Sequence, residues 1–236
     1  MQDRREILMA LSMLAMDANA EDDQTTIYIP ERQTEKDRPF LLDFMEEYAF
    51  AMIVSSKGGL RVTNVPTLFE RSPEGWGKLW WHISKNNLQN NAFDGNEECI
   101  AVFHGPHAYI SPNWYKAKNA VPTWNFAVVH ATGKPKRIDN DEAFAKSLKN
   151  LVATNEGKHG GGDVWDYSKL PDSYLKGMRQ GIVAYEMTID RVEAKFKLGH
   201  ERSAADREGT LQGLATSKME RNILELTRDY YKRNPV

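Results

Sequence analysis

Residues 103–126 read FHGPHAYISPNWYKAKNAVPTWNF, a run in which Tyr109, Trp114, Tyr115 and Trp124 stand among His104, His107, Ser111, Asn113, Thr123 and Asn125. Aromatic bodies supply broad apolar contact while hydroxyls and amides supply directional bonds, the lining that a flat, partly polar ligand needs. Pro106, Pro112 and Pro122 fix φ where they stand, so a stiff loop is expected to present these groups. On these residues alone two readings stand, a ligand-binding loop and an aromatic-rich turn that covers a β core. Other chemistry is sparse. The single cysteine, Cys99, excludes an internal disulfide and a multi-cysteine zinc site, and its apolar surroundings in residues 99–103 make it a small hydrophobe. His159 falls in the glycine-rich residues 157–162, expected to be a mobile loop, with no partner at ligand spacing, so no metal site is expected. The glycine-rich dinucleotide and phosphate loops, the nucleophile elbow and the paired-histidine zinc motif are all absent from the sequence.

The elements that must position the aromatic run can be read from periodicity. Alternation in residues 77–84 puts Trp80, His82 and Ser84 on one face of a strand and Leu79, Trp81 and Ile83 on the other. Residues 98–105 and 125–133 read as strands that enter and leave the aromatic loop. Residues 50–55 and 60–68 form a hairpin about Lys57-Gly58-Gly59. Residues 25–29 read as a short strand stopped by Pro30, and 182–198 as one or two strands rich in β-branched residues. Helices are expected over 39–48, 141–154, 170–179 and 217–231. Strands dominate the middle and helices flank them, which makes the fold mainly β with flanking helices (α+β), an antiparallel barrel rather than a parallel Rossmann sheet.

Composition limits the function. The 236 residues, 41% of them hydrophobic, suffice for a substantial core. Lys and Arg number 31 against 33 acidic residues, so no broad nucleic-acid surface is advertised, and no helix-turn-helix signature is visible. At the start of the chain Arg4-Arg5 precede a short apolar run and Ala18-Asn19-Ala20, which reads either as a twin-arginine export signal or as a helix docked on the body. The first alternative places the protein in the periplasm, the second in the cytoplasm. Ten apolar residues are too few to span a bilayer, so no membrane anchor is expected there. The organisation is therefore an extension over 1–24, a barrel domain over 25–214 and a C-terminal helix over 215–236.

Several stretches together resemble one family. Ile27-Tyr28-Ile29-Pro30, Gly59-Leu60 with Thr63 and Pro66, His82 with Asn86, the run Gly105-Pro-His-Ala-Tyr-Ile-Ser-Pro112 with Trp114-Tyr115, and Val121-Pro-Thr-Trp-Asn125 are similar in order and spacing to the PaiB family of FMN-binding negative transcriptional regulators. The resemblance implies an FMN-binding split β-barrel, usually a homodimer with two FMN sites across the subunit interface. FMN carries a phosphate of nearly two negative charges, a polyol and a flat ring system. For the phosphate side the candidates are Thr63, Asn64, His82, Ser84, Lys85 and Asn86. For the ring they are Tyr109, Ser111, Trp114, Tyr115, Thr123, Trp124 and Asn125. The chain departs from the family pattern at Asn64, where a histidine is expected, and at Ser84-Lys85, where alanine and arginine are. Lys85 can hold a phosphate as a point charge but lacks the bidentate fork of arginine. The implied functions are a flavin-binding regulator or stress-related flavoprotein and, as the alternative, an FMN-dependent oxidoreductase that uses nicotinamide or a small oxidant.

Overall fold

The computed structural model describes residues 25–161, 165–166, 169–217 and 221–235, so the expected export signal or docking helix at the start of the chain lies outside the described residues. Eight strands form one curled antiparallel sheet: β1 (Phe50–Ser55), β2 (Arg61–Pro66), β3 (Leu68–Glu70), β4 (Lys78–Ser84), β5 (Cys99–Ile110), β6 (Thr123–Gly133), β7 (Lys136–Arg137) and β8 (Ile182–Lys197). Their order is β2-β1-β5-β6-β8-β4-β3, with β7 beside β8. The helices are α1 (Arg38–Glu47), α2 (Asp141–His159), α3 (Asp172–Gln180), α4 (Ala204–Thr216) and α5 (Arg221–Arg233).

One long strand makes the sheet curl. The first half of β8 pairs with β4, from Ile182 opposite Ser84 to Thr188 opposite Lys78, and the second half pairs with β6 up to Lys197 opposite Phe126. The register slips where Gly133 meets Ile189, and a side chain on Gly133 would place its Cβ 2.1 Å from the Thr188 carbonyl oxygen. Only glycine lets the two backbones touch at that corner. The concave face is filled by Ile53, Leu79, Phe103, Ile110, Met187, Phe196 and Leu198, all essentially inaccessible. Each such side chain contributes about 1.5–3 kcal/mol through burial. Helices close this face. Phe40 and Phe44 of α1 meet the Phe196 ring at centroid distances of 5.3 and 5.2 Å, and Tyr230 of α5 stacks on it at 5.3 Å.

The structure corrects several expectations. Strand β5 does not stop at Gly105 but runs on to Ile110, so only residues 111–122 of the aromatic run form a loop. Pro106 is tolerated because the register with β6 shifts between His104 and His107, a bulge that needs no amide from it. Residues 25–29 form no strand. The Thr26 amide donates instead to the Glu193 carboxylate at 3.1 Å, and Pro30 has no amide with which to continue a ladder. Helix α2 continues to His159, so this histidine ends a helix rather than sitting in a mobile loop. Its last turn is anchored because Lys158 Nζ donates to the Glu46 carbonyl at 2.6 Å. Helix α4 was not expected from the sequence.

Candidate functional site

The candidates named for the phosphate gather where β2 meets the end of β4. In β2, Thr63 lies opposite Ile53 and is half-buried, while Asn64 lies opposite Met52 and is exposed. Beneath them sits Gln89, fully buried, whose Nε2 donates to the Ile53 carbonyl at 3.0 Å, Ser55 Oγ at 3.0 Å and the Arg61 carbonyl at 3.2 Å. Thr63 donates its hydroxyl proton to Gln89 Oε1 and accepts from Asn87 Nδ2 at 2.9 Å. That bond ties β2 to the turn after β4. The turn is braced again by Asn90, whose Nδ2 donates to the carbonyls of Ser84 at 3.0 Å, Lys85 at 3.0 Å and Asn87 at 2.7 Å.

Ser84, Lys85 and Asn86 are thereby held exposed on a turn with a fixed backbone, and Lys85 makes no ion pair among the described residues. His82 lies half-buried on the same side of β4 as Ser84, and burial lowers its pKa, so at neutral pH it offers an uncharged N–H. A phosphate here would draw its positive charge from Lys85 and its neutral donors from Ser84, Asn86 and His82, a set that fits the group. Asn87, Gln89 and Asn90, which build the frame, were missed in the sequence. The signal for them was the cluster of amides over residues 86–91 between two strands.

The candidates named for the ring occupy the far end of the β5–β6 hairpin. Tyr109 and Trp124 face each other in register with ring centroids 6.0 Å apart, edge to face, and are 42% and 51% exposed. His107 and then His104 continue this aromatic row, at 6.0 Å from Trp124 and 5.2 Å from each other. Thr123 Oγ1 accepts from Lys197 Nζ at 2.6 Å.

The other candidates are built into the frame. Asn125 is buried and its Nδ2 donates to the Leu198 carbonyl at 2.9 Å. Tyr115 is buried beneath Arg202, whose guanidinium lies 4.0 Å from its ring centre. Ser111 Oγ accepts from the Asn113 amide at 3.2 Å and caps a single 3-10 turn, Pro112–Trp114. Trp114 is wedged against α4. A Cβ on Gly209 would stand 1.9 Å from the Trp114 carbonyl oxygen, and one on Gly213 would stand 2.1 Å from its indole. The loop is held again where Asp206 Oδ1 accepts from the amides of Lys116 at 2.7 Å and Ala117 at 3.1 Å.

One chain does not bring the two groups together. β1 pairs with β5 only as far along as Val102, and Tyr109 lies seven residues beyond that, roughly 20 Å at the rise of a β-strand. Between them lies the convex face of the sheet. There Val54 opposes Val62 and Met52 opposes Val102, and the exposed Phe50 and Val62 extend an apolar surface. Where β2 ends, a cleft of about 640 Å³ opens, walled on one side by Tyr48, Phe50, Pro66, Leu68, Phe69 and His104 and on the other by Glu46 and Glu47 of α1 and Lys158 and His159 of α2. Strand β2 thus runs from the Lys85 turn at Thr63 to a ring-sized, aromatic-walled cleft at Pro66.

Comparison with known proteins places the family and the fold. Residues 27–191 match a family model described as "Putative FMN-binding domain". The chain is 28% identical over 210 residues to the protease synthase and sporulation protein PAI 2 of Bacillus subtilis, covering 88% of this chain and 99% of that one. It is also 28% identical over 188 residues to an uncharacterized protein of Aspergillus fumigatus, covering 65% and 72% of the two chains. The flavocytochrome Anf3 of Azotobacter vinelandii superposes with a TM-score of 0.55 at 18% identity, covering 74% of each chain, which shows a shared fold. Among the described residues no helix is long and apolar enough to cross a membrane, and no cluster of ligating side chains could hold a metal ion.

Proposed function

The chain belongs to the PaiB family of FMN-binding split-barrel proteins, and from that premise we propose that it works as a homodimer in which each FMN lies along β2 of one copy and is covered by the β5–β6 end of the other. The observation that carries this reading is the separation of the two candidate groups, one around Lys85 and the other around Tyr109 and Trp124, across an apolar convex face. A second copy seated on that face brings its aromatic row to the cleft at Pro66. In this reading Lys85, Ser84 and Asn86 would hold the flavin phosphate, His82 and Asn64 would face the polyol, and Phe50 and His104 would border the ring.

The bound FMN supplies transfer of one or two electrons between a donor and an acceptor. What the chain contributes is placement: a cation for the phosphate, an aromatic wall for the ring, and at His82 an imidazole that burial keeps uncharged and able to share a proton with a ligand. We therefore read the protein as a flavin-dependent oxidoreductase that takes a hydride from a nicotinamide and passes the two electrons on to a small oxidant, regenerating oxidised flavin. Its test is oxidation of NADH or NADPH by the FMN-loaded protein. Turnover lost in Lys85→Ala is the expected result, and absence of turnover with either nicotinamide and a panel of small oxidants overturns the reading.

A regulatory role is the second reading. It is supported by the name of the Bacillus relative, which ties that protein to protease synthesis and sporulation. The near-balance of charge and the packing of α4 and α5 against each other leave no obvious recognition helix among the described residues: Arg207 of α4 donates to the Tyr231 carbonyl at 2.7 Å and the Asn234 carbonyl at 2.8 Å. A mobility shift with and without FMN, at two salt concentrations, discriminates the two readings. A retarded, sequence-selective band supports regulation.

A further inference from the structure

A second cleft, of about 660 Å³, opens behind the Lys85 turn. It is lined by Val183 and Tyr185 of β8, which share the Trp81 face of the sheet, whereas His82 and Ser84 lie on the opposite face. Four cations border it, Lys85, Arg137, Lys176 and Arg179, against one carboxylate, Asp141, in a chain whose acidic residues outnumber its basic ones 33 to 31. Arg179 is paired with Asp141, and Arg137 Nε is 2.9 Å from Asp139 Oδ1. Lys85 and Lys176 make no ion pair among the described residues. The 19-residue helix α2 begins at this cleft, and its N-cap Asn140 Oδ1 takes the Ala143 amide at 2.8 Å. Asp141 and Glu142 in that first turn offset the potential of its remaining amides, so the positive charge of the cleft comes from its side chains. Asn91 and Gln180 place amides on the rim.

We propose that this cleft binds a small phosphorylated anion other than the flavin. Concentrated, partly uncompensated cations around an open space of this volume are the arrangement that a multiply charged, hydroxyl-bearing metabolite satisfies. The two sites share one wall. Asn90 accepts the Tyr185 hydroxyl proton at 2.7 Å on the cleft side and donates to the carbonyls of Ser84, Lys85 and Asn87 on the other. An occupant of the cleft therefore bears on the back of the turn whose front is assigned to the flavin phosphate. That assignment of front and back rests on the proposed FMN site, and so does the share of Lys85 left to the cleft when FMN is bound; the cleft and its cations Lys176, Arg137 and Arg179 do not.

The test is calorimetric titration of the FMN-saturated protein with inorganic pyrophosphate and, separately, with adenosine monophosphate at low salt. Flavin fluorescence is followed in parallel, and the titration is repeated on flavin-free protein. Saturable binding is expected, weakened about tenfold or more in Lys176→Ala and in Arg137→Ala, both exposed positions, with flavin retained throughout. Three results overturn the proposal: no saturable heat, binding by both variants as tight as by the unsubstituted chain, or release of FMN in step with the probe, which would make the cleft the flavin's own phosphate seat. If the protein takes up no FMN at all, the flavin-free titration still decides the matter, so failure of the FMN reading is told apart from failure of this one.

Discussion

A single cation separates this chain's candidate phosphate site from a purely neutral one. Replacing Lys85 by alanine removes a charge-assisted contact from a turn whose backbone is held by Asn87 and Asn90, so FMN affinity is expected to fall about tenfold or more while the thermal midpoint of the flavin-free protein stays put. Fluorescence quenching titration measures the first and calorimetry the second. Lys85→Arg is expected to keep or tighten binding, because a guanidinium can engage two phosphate oxygens.

The histidines carry a different prediction. Burial lowers the pKa of His82 and of His130, the second despite the opposing pull of the Glu193 carboxylate. An unfolded histidine titrates near about pH 6.5, so below that value the unfolded chain holds more protons than the folded one. The stability these two groups confer is thus complete above about pH 6.5 and is lost as pH falls toward their folded values. The urea midpoint is expected to drop between about pH 7 and pH 5, and to drop less in the double variant His82→Gln, His130→Gln. Equal slopes in the two proteins would contradict the assignment.

Residue types told more than residue positions did. Tyr109 and Trp124 were named as ring candidates from their aromatic type within an expected loop, and the structure instead sets them opposite each other on two strands, half-exposed. Asn125 and Tyr115 carry the same chemistry, yet their polar atoms or rings are spent on the Leu198 carbonyl and the Arg202 guanidinium. No local pattern distinguishes an amide that faces a ligand from one that closes the frame, because that depends on which distant element lies above it.

At the scale of elements, strands and flanking helices followed the periodicity of apolar residues, and the face of β4 carrying Trp80, His82 and Ser84 came out as alternation required. Helix α4 escaped because its inward face is Asp206, Arg207, Gly209, Thr210, Gly213 and Leu214, a set with scarcely any apolar period. It is a helix shaped to receive Trp114 rather than to bury a hydrophobic stripe. Gly209→Ala should therefore be far worse than its chemistry suggests. The new Cβ would meet backbone, which cannot turn aside, so a loss on the order of 2–3 kcal/mol is expected despite the gain in helix propensity. Urea denaturation checks the loss, and flavin affinity should fall with it as the loop over residues 111–122 shifts. Gln89→Leu tests the other frame. Ile53, Ser55, Arg61 and Thr63 would all lose a partner in a buried setting, for which about 2–4 kcal/mol is expected.

For the whole molecule, the central question is whether one copy is enough. The sheet curls through the corner at Gly133 and is closed on its concave side by α1 and α5, yet its convex side is left apolar at Phe50, Val62 and Trp124, which are 69%, 54% and 51% exposed. A surface of this kind on the same face as a split ligand site is what a symmetric interface would cover. A charge placed there, as in Val62→Asp, is expected to yield a monomer that no longer retains flavin, with its far-ultraviolet spectrum intact. The most direct measurement is native mass spectrometry of the FMN-reconstituted protein. The account requires a species of two 27.0 kDa chains carrying two FMN molecules, with flavin and partner lost together on dilution or activation. A single chain that keeps a stoichiometric FMN, or a dimer that takes up none, would contradict it.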